Sequence, residues 1–203
     1  MKENILHKAA EMFLSYGFKS VTMDDIATEM SVSKKTLYKY FSNKVELVEA
    51  SVGTVQETID KAILDVKNKK LNAIEEEFAV KAIFKEMFKK AKNSPMFQLK
   101  KYYPETFQRL KEREVCVFED CNLDNLINGK IQGLYRKEIN NKLIAKFYFT
   151  LIFEIFENEA HGKNMQELMK LEYKVLEYHI RAIATPKGVK ELEKQLELNF
   201  LST

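Results

Sequence analysis

Lysine, threonine and tyrosine side chains are concentrated in one short stretch near the start of the chain. The residues from Lys34 to Lys44 include four lysines and no acidic residue. Ammonium and hydroxyl groups at the start of a helix can bind phosphate oxygens, and lysine and threonine can also contact base edges. A solvated surface helix would carry the same residue types. Composition and spacing alone therefore leave both interpretations open.

Start and stop signals around this stretch predict two short helices joined by a tight turn. Thr22 and Asp25 have the spacing of a capping box at the start of the first helix, and Ser33 is a suitable N-cap for the second. The residues Ser31-Val32-Ser33 form the turn, with Val32 packed between the helices. This pattern is typical of a helix–turn–helix, whose second helix enters the major groove of DNA.

The rest of the chain also shows helical patterns. Only 3 prolines and 6 glycines occur in 203 residues, and apolar residues recur at three- and four-residue intervals. The expected fold is all-α. Gly17 is placed to end the first helix in a left-handed conformation. Helices are predicted over about residues 2–16, 34–40, 73–92, 141–158, 164–184 and 186–200, and from the caps at Thr22 and Asn43 to about residues 30 and 66. A short helix begins at Pro95 and a long one at Pro104, which Gly129 and Gly133 loosen or end.

Composition argues against several other classes of protein. The net charge is only +3, so the local lysine cluster carries more information than the total. Cys116 and Cys121 lack the spacing of a metal or redox pair, and the histidines are scattered, so we expect no metal, no cofactor and a reducing cytoplasm. No signal peptide is expected. The most apolar run, 147–156, is too short for a membrane span.

The motif residues closely resemble the N-terminal domain of the tetracycline-repressor (TetR) family. The resemblance rests on Thr-Met-Asp-Asp-Ile-Ala from Thr22, on Val-Ser-Lys-Lys-Thr-Leu-Tyr-Lys-Tyr-Phe from Val32, and on Lys44 and Leu47. It extends from the first helix to about residue 50. The family usually has glycine where this chain has Ser31, and serine tolerates a left-handed conformation less well.

The resemblance implies a role for each DNA-facing residue. Thr22, Tyr38, Tyr40 and Lys44 would contact phosphates. The bases would be faced by Lys34, Lys35 and Thr36, and the predicted DNA-binding set is completed by Ser33 and Lys39.

The resemblance also implies a molecule of two parts. Residues 1–50 would form the DNA-binding domain, and residues 51–203 would form a helical domain for effector binding and dimerisation. The last two long helices would pair with a second subunit in a four-helix bundle, so that a homodimer binds a palindromic double-stranded operator. The tail 185–203 could add a dimer contact, act as a lid or form a solvated helix.

An effector pocket would be apolar with few polar groups, and aromatic residues are its natural lining. Each of these residues could equally be ordinary core. The candidates are Phe84, Phe88, Phe97, Tyr102, Tyr103, Phe107, Phe118, Phe149 and Phe153.

The expected function is that of a TetR-like transcriptional regulator, a repressor released from its operator by a small, largely apolar effector. An architectural or partner-controlled DNA-binding protein without an effector is the alternative. An enzyme is not expected, because no nucleophile–base pair, metal spacing or phosphate loop is present. Glu154, Glu157, Glu159 and His161 lie close in sequence but lack the repeated Glu-x-x-His pattern of a carboxylate metal site.

Overall fold

The computed structural model describes residues 1–157 and 164–200, apart from the side chains of Cys116, Glu119 and Phe200. Within these ranges the fold is all-α, as predicted, with one isolated β-bridge between Tyr135 and Ala184 as the only extended pairing. The helices are α1 (Lys2–Tyr16), α2 (Met23–Glu29), α3 (Lys34–Tyr40), α4 (Lys44–Lys67), α5 (Ala73–Phe88), α6 (Pro95–Tyr102), α7 (Pro104–Ile131), α8 (Asn141–Glu157), α9 (Met165–Ile183) and α10 (Pro186–Phe200).

Helices α1 to α3 and the start of α4 surround a first hydrophobic core. Ile5, Ile26, Leu37 and Leu47 are completely buried there, one from each helix. The turn of α4 at Leu47 follows its N-cap Asn43, whose side chain accepts a hydrogen bond from the Glu46 N–H at 2.9 Å. Packing and capping together therefore fix the orientation of α3 relative to α1 and α4.

A second core lies between α5, α7, α8, α9 and α10. Helix α7 continues through Gly129, where a Cβ would lie 2.0 Å from the Tyr135 ring, so that only glycine fits, and it ends before Gly133, where φ is +72°. Leu192 of α10 is completely buried in the same core. The predicted tail helix is thus packed against the body of its own subunit.

Helices α4, α6 and α7 connect the two parts of the molecule. Helix α4 runs without a break through residue 50, and Val52 belongs to the N-terminal core. Leu99 of α6 and Phe107 of α7 are buried in that same core. The residues that pack against the first three helices therefore include some well beyond residue 50. No helix in the described ranges is long and apolar enough to cross a membrane.

Candidate DNA interface and ligand cavity

The turn between α2 and α3 is closed by a left-handed serine. Ser31 has φ +55° and is the only described non-glycine residue with a positive φ. The Val32 N–H donates to the Ala27 carbonyl at 2.9 Å and the Ser31 N–H donates to the Thr28 carbonyl at 3.0 Å, which is the pattern of a Schellman motif. Ser31 therefore adopts the backbone conformation that favours glycine, the residue usually found here in the family it resembles.

Side-chain caps hold the first turns of α2 and α3. The Asp25 carboxylate accepts hydrogen bonds from the N–H and the hydroxyl of Thr22, each at 2.8 Å, and these bonds lower the pKa of Asp25. The Thr22 hydroxyl in turn accepts from the Asp25 N–H at 3.1 Å, so the predicted capping box is present. Ser33 accepts from the Thr36 N–H at 3.0 Å, and the two hydroxyls lie 2.8 Å apart.

The lysines of α3 lie on its solvent-exposed face. Lys35 and Lys39 are exposed. Lys34 forms an ion pair with Asp24 of α2, and this hydrogen bond raises the pKa of the ammonium group. A phosphate or base approaching Lys34 must therefore compete with Asp24, whereas Lys35 points to solvent.

Tyr38 and Tyr40 lie on different sides of α3. Tyr38 is about half exposed, while Tyr40 packs against the N-terminal core. Lys44 donates a hydrogen bond to the Lys19 carbonyl at 3.1 Å and lies over the rings of Phe13 and Tyr103. Burial lowers the pKa of its ammonium group. Without DNA, Lys44 is therefore bound to its own subunit.

A cavity of about 160 Å³ is lined by residues of both cores. Its wall is almost entirely apolar and includes residues of α1, α4 to α9 and the loop after α1. The lining residues are Ala10, Phe13, Leu14, Phe18, Ser51, Val52, Val55, Gln56, Ile59, Lys81, Phe84, Phe88, Pro95, Met96, Leu99, Leu110, Glu114, Phe118, Ile152, Phe153, Phe156, Met165, Met169 and Glu172.

Four of the nine aromatic residues proposed for a pocket line this cavity, namely Phe84, Phe88, Phe118 and Phe153. The other five lie outside its wall. Phe107 and Tyr103 pack in or against the N-terminal core, and Phe149 lies between Phe118 and Phe153. Lysine ammonium groups lie over the rings of the remaining two, Phe97 and Tyr102.

Three charged residues in the cavity wall were not identified from the sequence. Lys81 donates to Glu172 at 2.5 Å, and both side chains are about 5% exposed. Glu114 accepts a hydrogen bond from Gln56 at 3.1 Å, and burial raises the pKa of its carboxyl group. Helical spacing contained a signal, since Glu172 is four residues from both Leu168 and Leu176 on the buried face of α9.

Further titratable groups are buried next to the Lys81–Glu172 pair. Burial raises the pKa of Glu77 from 4.5 to about 7 and lowers the pKa of His179 from 6.5 to about 4. The His179 ring stacks on the Tyr148 ring with centroids 4.1 Å apart. Burial also raises the pKa of Tyr148, whose hydroxyl has no hydrogen-bond partner among the described residues.

Direct contacts join the cavity to the N-terminal part of the chain. The Phe18 N–H donates to the Gln98 side chain of α6 at 2.9 Å, and the Tyr103 hydroxyl donates to the Phe18 carbonyl at 3.4 Å. Lys90, just beyond α5, forms an ion pair with Glu11 of α1 at 3.0 Å. Helix α6 is thus bonded directly to the loop that connects α1 with α2.

In the described part of the chain, no three His, Cys, Asp or Glu residues are grouped so that they could hold a metal ion. Of the Glu-rich segment considered from the sequence, Glu159 and His161 lie outside the described residues. Glu157 is buried and pairs with Lys111 at 2.7 Å and with Lys100 at 3.2 Å. These ion pairs give this carboxylate a structural role.

Comparison with known proteins agrees with the geometry of the N-terminal unit. Residues 5–51 match the model of the bacterial regulatory proteins of the tetR family. The negative transcriptional regulator IcaR of the Staphylococcus aureus biofilm operon icaADBC is 26% identical over 148 residues, which cover 73% of this chain and 69% of that protein.

Solved structures share the whole architecture. A transcriptional regulator from Cytophaga hutchinsonii is 20% identical with a TM-score of 0.73, and the match covers 90% of this chain and 98% of that one. A TetR-family regulator from Marinobacter aquaeolei is 14% identical with a TM-score of 0.73, covering 98% and 96%. The match of residues 5–51, the helix–turn–helix and the similarity to IcaR support a TetR-family transcriptional regulator, and the solved structures show the same helical fold. Regulators of this family bind DNA and are not enzymes.

Proposed function

We propose that this regulator is a repressor that binds a palindromic operator as a homodimer and is released when a small, largely apolar effector occupies the cavity. The proposal rests on one observation, which is that the N-terminal core and the cavity have residues in common. Phe13 and Phe18 belong to the core that holds α3 and also line the cavity. A ligand that changes the cavity therefore acts on the packing of the DNA-binding unit. IcaR, a relative of this chain, is itself described as a negative regulator.

The DNA-binding surface in this proposal is the exposed face of α3 with the caps around it. Lys35, Lys39 and Tyr38 reach solvent, and Ser33 and Thr36 stand at the N-terminus of the helix, where free N–H groups favour phosphate. Thr22, Lys34, Tyr40 and Lys44 flank that face and complete the proposed contact set. Lys34 and Lys44 would leave Asp24 and the Lys19 carbonyl, respectively, to reach DNA.

The dimer interface in this proposal is the outer face of α8 with α9. Leu143, Phe147 and Leu151 are four residues apart on α8, so they form one apolar stripe, and all three are exposed in the single subunit. Tyr178 of α9 is also exposed. A contiguous apolar surface of this kind is typical of a protein interface. Together with the family membership, it supports a bundle of four helices.

Effector control requires two states that the ligand distinguishes. The cavity is lined by α1, by α4 to α9 and by Phe18, and Phe18 is also hydrogen-bonded to α6. A ligand that shifts α6 or α4 would change the separation of the two α3 helices in the dimer. Because those helices must enter successive major grooves about 34–36 Å apart, a changed separation lowers DNA affinity.

We also propose the division into a DNA-binding domain, 1–50, and an effector-binding and dimerisation domain, 51–203. A purely architectural DNA-binding protein is the second candidate. An apolar cavity in contact with both domains favours the effector-controlled regulator, because an architectural protein has no need of one.

Fluorescence anisotropy with a duplex selected from a random pool tests the DNA surface. We expect Lys35→Ala and Tyr38→Phe each to weaken binding by about tenfold or more, since each change occurs twice in the dimer. Lys61→Ala is the matched control, because it removes the same charge from an exposed position of α4, about 25 Å along the helix from Lys44. Unchanged affinity in both α3 variants would show that α3 does not form the interface.

A further inference from the structure

We infer that the effector is a small lipophilic cation whose charged group lies between Glu114 and the phenylalanine rings of the cavity. This inference rests on the proposed function, since it names the class of molecule that the regulator would detect. It is carried by the charges of the cavity wall and by the side chains around each of them.

Glu114 is the charged group in the wall that no cation neutralises directly. Its hydrogen-bond partner is the neutral side-chain amide of Gln56, at 3.1 Å. The neighbouring Arg113 forms an ion pair with Asp60 instead. Within the described residues, Glu114 has no ion-pair partner. Burial raises the pKa of this carboxyl group, so a cationic ligand would relieve an unfavourable charge.

The other two charged residues of the wall balance each other. Lys81 and Glu172 form a buried ion pair at 2.5 Å. With Glu114 ionised, the wall therefore carries one negative charge in excess. An anionic ligand would have to separate this ion pair to reach Lys81, and it would meet two carboxylates in doing so. A cation gains from the excess charge without breaking a contact.

Aromatic rings supply the second half of a cation site. Phe118 is four residues after Glu114 on α7, so both side chains lie on the same face of the helix. Phe84, Phe88, Phe153 and Phe156 complete the aromatic part of the wall. The faces of such rings attract cations, and quaternary ammonium groups are bound in this way. Ser51 adds a buried hydroxyl that has no hydrogen-bond partner among the described residues.

The size of the cavity restricts the ligand to a small molecule. An apolar cavity of about 150 Å³ accommodates benzene, and this one measures about 160 Å³. Benzyltrimethylammonium combines one aromatic ring with one quaternary nitrogen. Its carbon isostere, neopentylbenzene, has the same shape without the charge, and phenylacetate carries the opposite charge. These three compounds separate the effect of charge from the effect of shape.

Isothermal titration calorimetry of the full-length protein with the three compounds tests the inference. We expect wild type to bind benzyltrimethylammonium and not phenylacetate. Glu114→Gln should weaken binding of the cation by about tenfold or more and change binding of neopentylbenzene by less than about twofold. Glu112→Gln, at an exposed position of α7, is the control and should leave both unchanged.

Three results would overturn the inference: preferential binding of phenylacetate, no binding of the cation, or an equal effect of Glu114→Gln on both ligands. The first two need only wild-type protein, so they do not depend on the folding of a variant. The effect on the selected duplex separates this inference from the proposed function. If neopentylbenzene releases DNA and the cation does not, the regulator proposal stands and the cation inference is wrong. If the cation binds through Glu114 without changing DNA affinity, the site stands and the proposed regulation fails.

Discussion

Ser31 illustrates how one residue can keep a motif intact at a cost in stability. Its φ of +55° is in the left-handed region, where a side chain costs about 1–2 kcal/mol. Ser31→Gly should raise the free energy of unfolding by about 0.5–1 kcal/mol, because part of the relieved strain is offset by the greater freedom of glycine in the unfolded chain. Urea unfolding followed by circular dichroism measures the change.

Ser31→Ala is the control for that experiment, since it removes the hydroxyl and retains the Cβ. It should give no stabilisation. Equal stabilisation by alanine and glycine would show that the hydroxyl, and not the backbone conformation, is unfavourable at this position.

Glu77 should give stability a defined dependence on pH. The folded state raises its pKa from 4.5 to about 7, so folded protein binds this proton more tightly than the unfolded chain does. Wild type therefore loses about 3 kcal/mol of stability at this group as the pH rises from 4.5 to 7. Glu77→Gln has no proton to lose. Its stability relative to wild type, measured by urea unfolding, should increase by about that amount over the same range.

The stability of the variant must be compared with that of wild type at each pH, because the titration of His179 changes stability in the opposite direction to that of Glu77. The folded state lowers its pKa to about 4, so its contribution to stability grows between pH 4 and 6.5 and masks that of Glu77. Glu86→Gln, at an exposed position of α5, is the control. If the difference in the free energy of unfolding between Glu77→Gln and wild type is the same at pH 4.5 and pH 7, then Glu77 does not titrate as described.

At the residue scale, the sequence predicted the helix N-caps better than it predicted the buried ion pairs. The caps at Thr22, Ser33 and Asn43 could be predicted because each depends on residues only three positions apart. The buried ion pair of Lys81 and Glu172 joins residues 91 positions apart on two helices. A charged residue on an apolar stripe indicates burial, but its partner becomes known only from the tertiary fold.

The contact between α6 and the loop after α1 is one of the places where the two parts of the molecule are joined. Gly17 has φ +94° and ψ +146°, a region suited almost only to glycine, and a Cβ there would lie 2.6 Å from the Gln98 side-chain oxygen. Gly17→Ala should therefore strain the backbone and also displace Gln98 from the Phe18 N–H. We expect a loss of about 2–3 kcal/mol in urea unfolding, of which about 1 kcal/mol comes from the hydrogen bond.

Gly133→Ala separates these two effects. Gly133 also has a positive φ, but a Cβ there meets nothing within 4 Å, so only the backbone strain applies. Gln98→Ala should cost less in the Gly17→Ala background than in wild type, with a difference of about 1 kcal/mol. Additive effects of the two changes would show that Gly17 and Gln98 are not coupled.

At the element scale, the sequence predicted each of the ten helices of the described residues, because caps and apolar periodicity are local signals. Two details depended on the surroundings. Gly17 is predicted to be left-handed at the end of α1. It has a positive φ with an extended ψ, and the next residue, Phe18, donates its N–H to the Gln98 side chain. Gly129 and Gly133 are predicted to loosen or end α7, and the helix continues through Gly129, which the Tyr135 ring contacts closely, and ends before Gly133.

At the scale of the whole molecule, dimerisation should depend on the apolar stripe of α8. Phe147 is 55% exposed in one subunit, so Phe147→Glu should not impair folding of the monomer. It would place a charge in the centre of the proposed four-helix bundle, where burial of an unpaired charge is strongly unfavourable. Sedimentation velocity at micromolar concentration should show a monomer for this variant and a dimer for wild type.

Leu64→Glu is the matched control for the dimer experiment. Leu64 is 58% exposed on α4, outside the stripe, so the same kind of substitution should leave the dimer intact. A dimer that persists in Phe147→Glu would place the interface on another surface. Loss of the dimer in both variants would indicate a general effect of the added charge.

The lining of the cavity could be predicted only in part from the sequence. Aromatic residue type predicts which side chains are suited to line an apolar cavity, and four of the nine candidates do line it. Phe107 is a core residue beneath the first helices instead, because α7 crosses from one part of the molecule to the other. Long-range packing of this kind has no local pattern in the sequence.

Selection of bound duplexes from a random pool by the wild-type protein tests the central claim most directly. A homodimer that reads DNA with two α3 helices should enrich a motif with two-fold symmetry, and the centres of its half-sites should be about 34–36 Å apart or at a multiple of that distance. The Lys35→Ala protein should enrich this motif weakly or not at all. No enrichment by wild type, or an enriched motif without two-fold symmetry, would contradict the account.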